Sequence, residues 1–307
     1  MAQNKTKKEH YIPRAYLRSF SENGQCQLYD KSTNKSFCAS VEKIFAQRYF
    51  YDIHKELLLE YENIDEQAIE KILANTVDSF LNNIVQNIDE NYRWFLPKYP
   101  YHYLSVYKCL AIQLIRTPQG KQRLLELYSK VYKKNIDKEL ENVILMKEIS
   151  KILDDMKLQS LLVENLLTEY GHICVGINNS DIHFISSDNP IIIIPNIWDE
   201  QKIEDMIFYP ITPHRCLFFH KMKKVESQLK SVLNEFSLGK LQSTDLSDIP
   251  KEAYNREKEK MNILNPPTRN LTRADVLVLN TCLYKMASKY IVYKHKADKQ
   301  ELWLKNM

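Results

Sequence analysis

The sequence predicts an α+β fold. It should be mainly helical, with a compact antiparallel or mixed sheet around residues 171–220 and a small N-terminal motif. Three observations lead there. Apolar residues recur at helical spacing through residues 56–92 (Leu59, Ile69, Ile72, Leu73, Val77, Phe80, Leu81, Ile84, Ile88), with acidic residues opposite. From Gly171 the pattern changes to short β-prone runs separated by Asn, Asp, Pro and Ser. Those runs lie too close together for crossover helices, which argues against a βαβ series. With 307 residues, 44% hydrophobic and 27% charged, the chain has a globular composition. It reads as one domain over 1–307, with an N-terminal motif (1–55), a helical block (56–167), a sheet (168–222) and C-terminal helices (223–307).

Taken in order, residues 10–20 predict a short helix entered through Pro13, with Ile12, Tyr16 and Phe20 on one face. Residues 27–30 and 35–38 predict two strands about a turn, residues 40–46 a short helix, and residues 49–51 a strand. After the amphipathic stretch of 56–92, Pro97 and Pro100 break the pattern. Further helices are expected over about 101–116, 121–135 and 138–167, the last interrupted near Asp154-Asp155. The strand candidates are 173–177, 183–185, 191–194, 206–209 and 216–219. Helices return at 223–236 and 250–261. Thr272-Arg-Ala-Asp275 fits a loose capping box that opens a final helix to about Lys289.

Several function classes are excluded by composition and motif. There are 5 glycines in 307 residues, against a usual share of about 7%, and neither GxGxxG nor GxxxxGK[ST] occurs. The six cysteines form no CxxC pair and no zinc-ribbon spacing. The HExxH and GxSxG motifs are absent. The N-terminal residues lack the apolar core of a signal peptide, and the most apolar run, Ile191–Ile194, is far shorter than the ~20 residues of a membrane span. A cytoplasmic protein with no membrane partner is expected. Net charge is +4, but the charges are segregated. Residues 52–90 hold ten acids and two lysines, whereas residues 91–140 hold ten basic residues and three acids. The basic aromatic stretches 92–102 and 128–134 could stack bases, although chance interleaving of abundant tyrosines explains them as well.

Three segments carry the candidate chemistry. In the first, His10 precedes Arg14 by four residues, which on a continuous helix would put both on one face. Imidazole can move a proton near neutrality and guanidinium can grip a phosphate or carboxylate. The second is Arg116-Thr-Pro118, closing an apolar helix; Arg116 either complements the helix dipole or points inward as an anion clamp. The third is Ser187-Asp-Asn-Pro190 between two apolar strands, where Asp188 and Asn189 either close a local turn or present a carboxylate and an amide to a ligand. Asp188 with a helical acid such as Glu60 could bind a hard cation, but no ligand-spaced cluster exists, so no metal site and no cofactor are assigned. His214 and His220 read as structural histidines.

Together, His10-Tyr-Ile-Pro-Arg-Ala-Tyr-Leu-Arg-Ser-Phe20, Arg116-Thr-Pro118 and Ser187-Asp-Asn-Pro190 resemble the bacterial domain-of-unknown-function 4238 family over almost the full chain. The resemblance implies one full-length domain and carries no catalytic assignment. From the residues themselves, the expected function is a hydrolase acting on a phosphate-bearing substrate, in its most specific form a nuclease in stress or phage defence. His10 would be the general acid or base and Asp188 an orienting carboxylate. Arg14 and Arg116 would bind the phosphate, with Asn189 in support. The alternatives are a non-catalytic sensor or accessory module binding an anionic ligand or nucleic acid, and a protein-interaction subunit or homo-oligomer using the acidic 52–90 face.

Overall fold

A computed structural model describes residues 8–53, 66–89, 100–154, 160–198, 204–221 and 268–294. The fold is α+β, with three sheets set against a block of helices. The expected helices at 223–236 and 250–261, the acid Glu60 and most of the basic aromatic stretch 92–102 lie outside the described residues.

The N-terminal motif contains more strand than the sequence suggests. Strand β1 (Lys8–His10) pairs antiparallel with β4 (Ala46–Arg48), in the register His10 opposite Ala46. Helix α1 covers only Arg14–Ser19, with Pro13 at its N-cap. Proline's fixed φ starts the helix but bars residues 10–12 from continuing it backwards. His10 and Arg14 therefore do not share a helical face. Strands β2 (Gln25–Asp30) and β3 (Lys35–Ser40) form the expected hairpin. The helix expected over 40–46 is absent: residues 41–45 form turns, and the strand expected at 49–51 is displaced to β4.

The helical block opens with α2 (Ala68–Leu73), a π-helical turn (Ala74–Asp78) and α3 (Ser79–Asn87) as one continuous rod. Ile69, Leu73, Val77, Leu81, Ile84 and Ile88 are buried along it, the stripe read from the sequence. Helix α4 (Pro100–Arg116) is followed by α5 (Pro118–Tyr132), then by α6 (Glu141–Leu153) and α7 (Leu161–Glu169). Thr117 breaks α4 from α5 and caps α5, its hydroxyl accepting from the Gly120 amide at 3.1 Å.

The principal sheet has the order β10-β5-β9-β8-β7: Thr268–Leu271, His172–Asn178, Arg215–His220, Asp205–Pro210 and Ile192–Pro195. Only the β10–β5 pair is parallel, so the sheet is mixed. Its central strands are buried on both faces, which is why Met206–Tyr209 and Cys216–Phe219 read as unbroken apolar runs. The run at 183–185 is not a strand. There the buried side chain of Asn280 takes the place of a ladder partner, accepting from the Ile185 amide (3.1 Å) and donating to the His183 carbonyl (2.8 Å). Strand β6 is instead Ser186–Ser187.

The capping box at Thr272–Asp275 is present in full and opens α8 (Arg273–Met286). A strand unforeseen in the sequence follows. β11 (Tyr290–Tyr293) inserts between β2 and β6 in a four-stranded sheet of order β3-β2-β11-β6. It joins the two ends of the chain through buried Ile291, Val292 and Tyr293. The buried apolar residues of all these parts form one connected core.

Gly120 lies where the start of α5 passes the end of α4. A β-carbon there would overlap the Leu114 carbonyl, a backbone group with no freedom to move aside. Gly120→Ala should therefore lower unfolding free energy by about 1–3 kcal/mol, the usual cost of overpacking. Urea denaturation should show the drop as a lower midpoint at unchanged slope.

Candidate functional site

Arg116 joins two of the three sequence segments, holding the His10 carbonyl from the end of α4. At the last position of α4 its side chain is completely buried. A guanidinium out of water must place its donors on acceptors. NH1 donates to Asp78 Oδ1 at 2.5 Å, NH2 to the His10 carbonyl at 2.7 Å, and Nε to the Tyr51 hydroxyl at 3.3 Å. The Tyr51 hydroxyl in turn donates to the Arg116 carbonyl at 3.2 Å, one of the orphan acceptors at a helix end. The π-helical turn ends on Asp78 and so sets its carboxylate against the guanidinium. Arg116 is thus an interior tie and not the anion clamp expected of it. Asp78 and Tyr51 raise its already high pKa, against the effect of burial.

Asp188 is likewise engaged. Its Oδ1 accepts from the Ser288 amide (2.9 Å), and its Oδ2 accepts from the amides of Lys289 (2.8 Å) and Tyr290 (3.2 Å). The carboxylate closes the turn between α8 and β11 and shares no hydrogen bond with His10, Arg14 or Arg116. Burial raises its pKa and the three amides oppose that shift. Asn189 is buried beside it, its amide donating to Ser187 Oγ at 3.0 Å. The expected role of Asp188 and Asn189 as ligand-facing groups is replaced by turn closure. The N-terminal motif is held on the neighbouring strands: the Tyr16 hydroxyl donates to the Pro210 carbonyl at the end of β8 (2.7 Å) and pairs with Ser186 Oγ of β6 (2.8 Å).

His10 is half-buried, with Nε2 3.2 Å from the Val41 carbonyl, and desolvation lowers its pKa. Arg14 remains open to solvent. It donates to Glu42 Oε2 at 2.6 Å, while Arg18, one turn later, donates to Glu42 Oε1 at 3.3 Å. All three side chains are about half exposed or more (52%, 59% and 48%). The hydrogen bond from Arg14 holds the Glu42 carboxyl below its ordinary range.

Two acids missed in the sequence complete the site. Glu70, on α2, lies within electrostatic reach of Arg116, Asp78 and Arg14, and burial pushes its carboxyl up to about 7. Glu9, fully buried on β1, accepts from the Tyr51 amide at 2.7 Å. Burial, opposed by that amide and reinforced by Asp52 and Glu70, pushes it also to about 7. Both glutamates escaped notice because Glu9 sits in a basic tail and Glu70 in an acidic stripe, where charge alone indicates a solvated face. Among the described residues no group of three or more His, Cys, Asp or Glu is arranged to hold a metal ion, and no helix is long and apolar enough to cross a membrane. Of the basic aromatic stretch 128–134, Tyr128 is tied internally, donating to Glu148 Oε2 at 3.0 Å.

The family model described as Protein of unknown function (DUF4238) matches residues 8–297. The chain belongs to this family. No curated protein and no solved structure matches it. The three segments by which the chain resembles the family are therefore the ones that Arg116, Tyr16 and Asp188 fasten into the fold.

Two outcomes follow from this geometry. Asp78→Ala leaves a buried guanidinium uncompensated and should cost about 3–5 kcal/mol, whereas Arg14→Ala breaks an exposed pair worth at most about 1 kcal/mol; chemical denaturation of both variants gives the contrast. Glu9 and Glu70 bind protons more tightly in the native state than when unfolded, where their pKa is near 4.5. Their contribution to stability is full below about 4.5 and is lost as pH rises through about 7. The double substitution Glu9→Gln with Glu70→Gln should flatten the stability profile across that window, and an unchanged slope would contradict the assignment.

Proposed function

We propose that the chain hydrolyses a phosphate-bearing substrate at the solvent side of the Arg116–Asp78 tie. Arg14 and Arg18 would form the anion subsite and Glu70 would be the proton-transfer group. The observation that carries this reading is the Arg14–Arg18–Glu42 cluster. Two exposed guanidiniums share one carboxylate, which leaves one positive charge uncompensated at the surface. Such a charge draws anions, and planar guanidinium forks fit phosphate oxygens. Glu70, within electrostatic reach of Arg14, has its pKa near neutrality, where a general acid can both hold and release a proton. It would protonate the leaving oxygen as water attacks phosphorus. His10 keeps its place in this reading as a neutral imidazole near Arg14 and Glu42, held by the Val41 carbonyl. Nucleotides and nucleic acids are the substrate forms to try first. Six free cysteines support a reducing, cytoplasmic setting.

A second reading is favoured by a different observation. Arg116 and Asp188 are engaged by internal hydrogen bonds, so the same surface cluster would serve a non-catalytic module that only binds its anion. Assays with a phosphomonoester, a phosphodiester, nucleotides and a single-stranded oligonucleotide separate the two. The hydrolase reading expects Arg14→Ala with Arg18→Ala to lower kcat/KM by about 100-fold. It expects Glu70→Gln to lower kcat by about 100-fold, within the usual range for a general acid, and to remove a limb of the pH profile near 7. Binding that depends on Arg14 without turnover would favour the module, and neither turnover nor such binding would reject both.

A further inference from the structure

We propose that a second anion site, built by Arg269, Trp198, His172 and His220 at one end of the five-stranded sheet, takes a phosphoryl group. It uses none of the residues of the proposed hydrolytic site and does not depend on that reading.

The sheet register assembles it. His172 on β5 lies directly opposite His220 on β9, with ring centroids 5.8 Å apart. Side chains alternate along a strand, so His172 and Cys174 share a face with His220 and Phe218, their cross-strand partners. Trp198 stands over that face, its ring edge-on to Phe218 at 5.0 Å and 6.1 Å from His220. Its indole N–H donates to Asp275 Oδ1 at 3.2 Å, an acid in the first turn of α8, and this fixes the ring.

Arg269 on β10 completes the cluster. Its guanidinium carbon lies 3.9 Å from the Trp198 ring centroid. Stacking uses only the flat face of the guanidinium and leaves its N–H donors, which lie in the plane, free for an acceptor. Among the described residues no carboxylate pairs with Arg269. It is half-buried, as are Trp198 and His220, while His172 is exposed, so the group opens to solvent.

Of the groups that act on His220, all but Glu204 favour an anion. His220 is pushed down to about 4, first by burial, then by His172 and Arg269, with Glu204 opposing. Burial lowers His172 as well, and Arg269 pulls on the Cys174 thiol against burial. Arg269 thus imposes positive potential on His220 and Cys174, and burial keeps both imidazoles neutral at pH 7 with one N–H each to give. A guanidinium fork and two imidazole donors suit a tetrahedral oxyanion with several acceptor oxygens. A carboxylate would be filled by the fork alone.

The test titrates inorganic phosphate into the full chain carrying Arg14→Ala and Arg18→Ala at pH 7, by calorimetry and by proton NMR of the histidine rings. The signals are assigned with His172→Gln and His220→Gln. Saturable binding is expected, with the His172 and His220 signals shifting. Arg269→Gln should weaken binding at least about 10-fold, within the worth of a charge-assisted hydrogen bond. Arg269→Lys, which keeps the charge but loses the fork, should weaken it too and serves if the glutamine variant misfolds. No saturable binding, shifts confined to other histidines, or wild-type affinity in a folded Arg269 variant would overturn the site. Acetate binding as tightly as phosphate would overturn the phosphoryl assignment.

Discussion

The burial of one guanidinium constrains most of this fold. Arg116 has no access to water, so its donors must be met by protein groups, and the groups that meet them come from distant parts of the chain. His10 supplies a carbonyl from β1, Tyr51 a hydroxyl from the segment after β4, and Asp78 a carboxylate from the π-helical turn. Losing Asp78 would strand a buried charge, at a cost comparable to a large part of a domain's net stability, and losing either of the others would leave a buried donor unpaired. The N-terminal motif is therefore held on the helical block by a polar tie. It is held on the strands by Tyr16, which bonds to Ser186 and Pro210.

Burial sets the electrostatics around that tie. Arg116 draws Glu70 toward its ionised form, but burial outweighs that pull, and Glu9 is raised by its own burial and by its acidic neighbours. Asp78 takes the direct contact, while Glu70 and Glu9 are pushed up to about 7, burial being the largest cause for each. The positive charge that reaches solvent belongs to Arg14 and Arg18, outside the tie. Structure and proposed chemistry are thus divided between neighbouring residues. The buried arginine organises, and the exposed arginines are placed to meet a ligand.

Much of the architecture was legible in the sequence because it follows from periodicity and local chemistry. The buried stripe from Ile69 to Ile88, the break at Thr117-Pro118, the hairpin of β2 and β3, and the capping box at Thr272 are such local signals. The short strands β10 and β11 were not legible, since each exists only because a distant partner, β5 or β2, completes its ladder. The site was legible in part. The segments carrying His10 and Arg116 were identified and meet at the His10 carbonyl, whereas Asp188 is held in a separate turn. The sequence could not tell whether a side chain there faces a ligand or the interior. For Asp188 the answer lay with the amides of residues 288–290, about a hundred positions away. Glu9, Glu70 and Asp78 carried no signal, because charge alone does not distinguish a solvated acid from a buried one.

The most direct test of the central role of Arg116 is amide hydrogen exchange in Arg116→Met, an apolar replacement of similar length. If the tie chiefly secures the N-terminal motif, the amides of β1, β4 and Tyr51 lose protection selectively, while those of β5, β8 and β9 keep theirs. Equal loss across the principal sheet, or unchanged protection at Tyr51, would contradict the account.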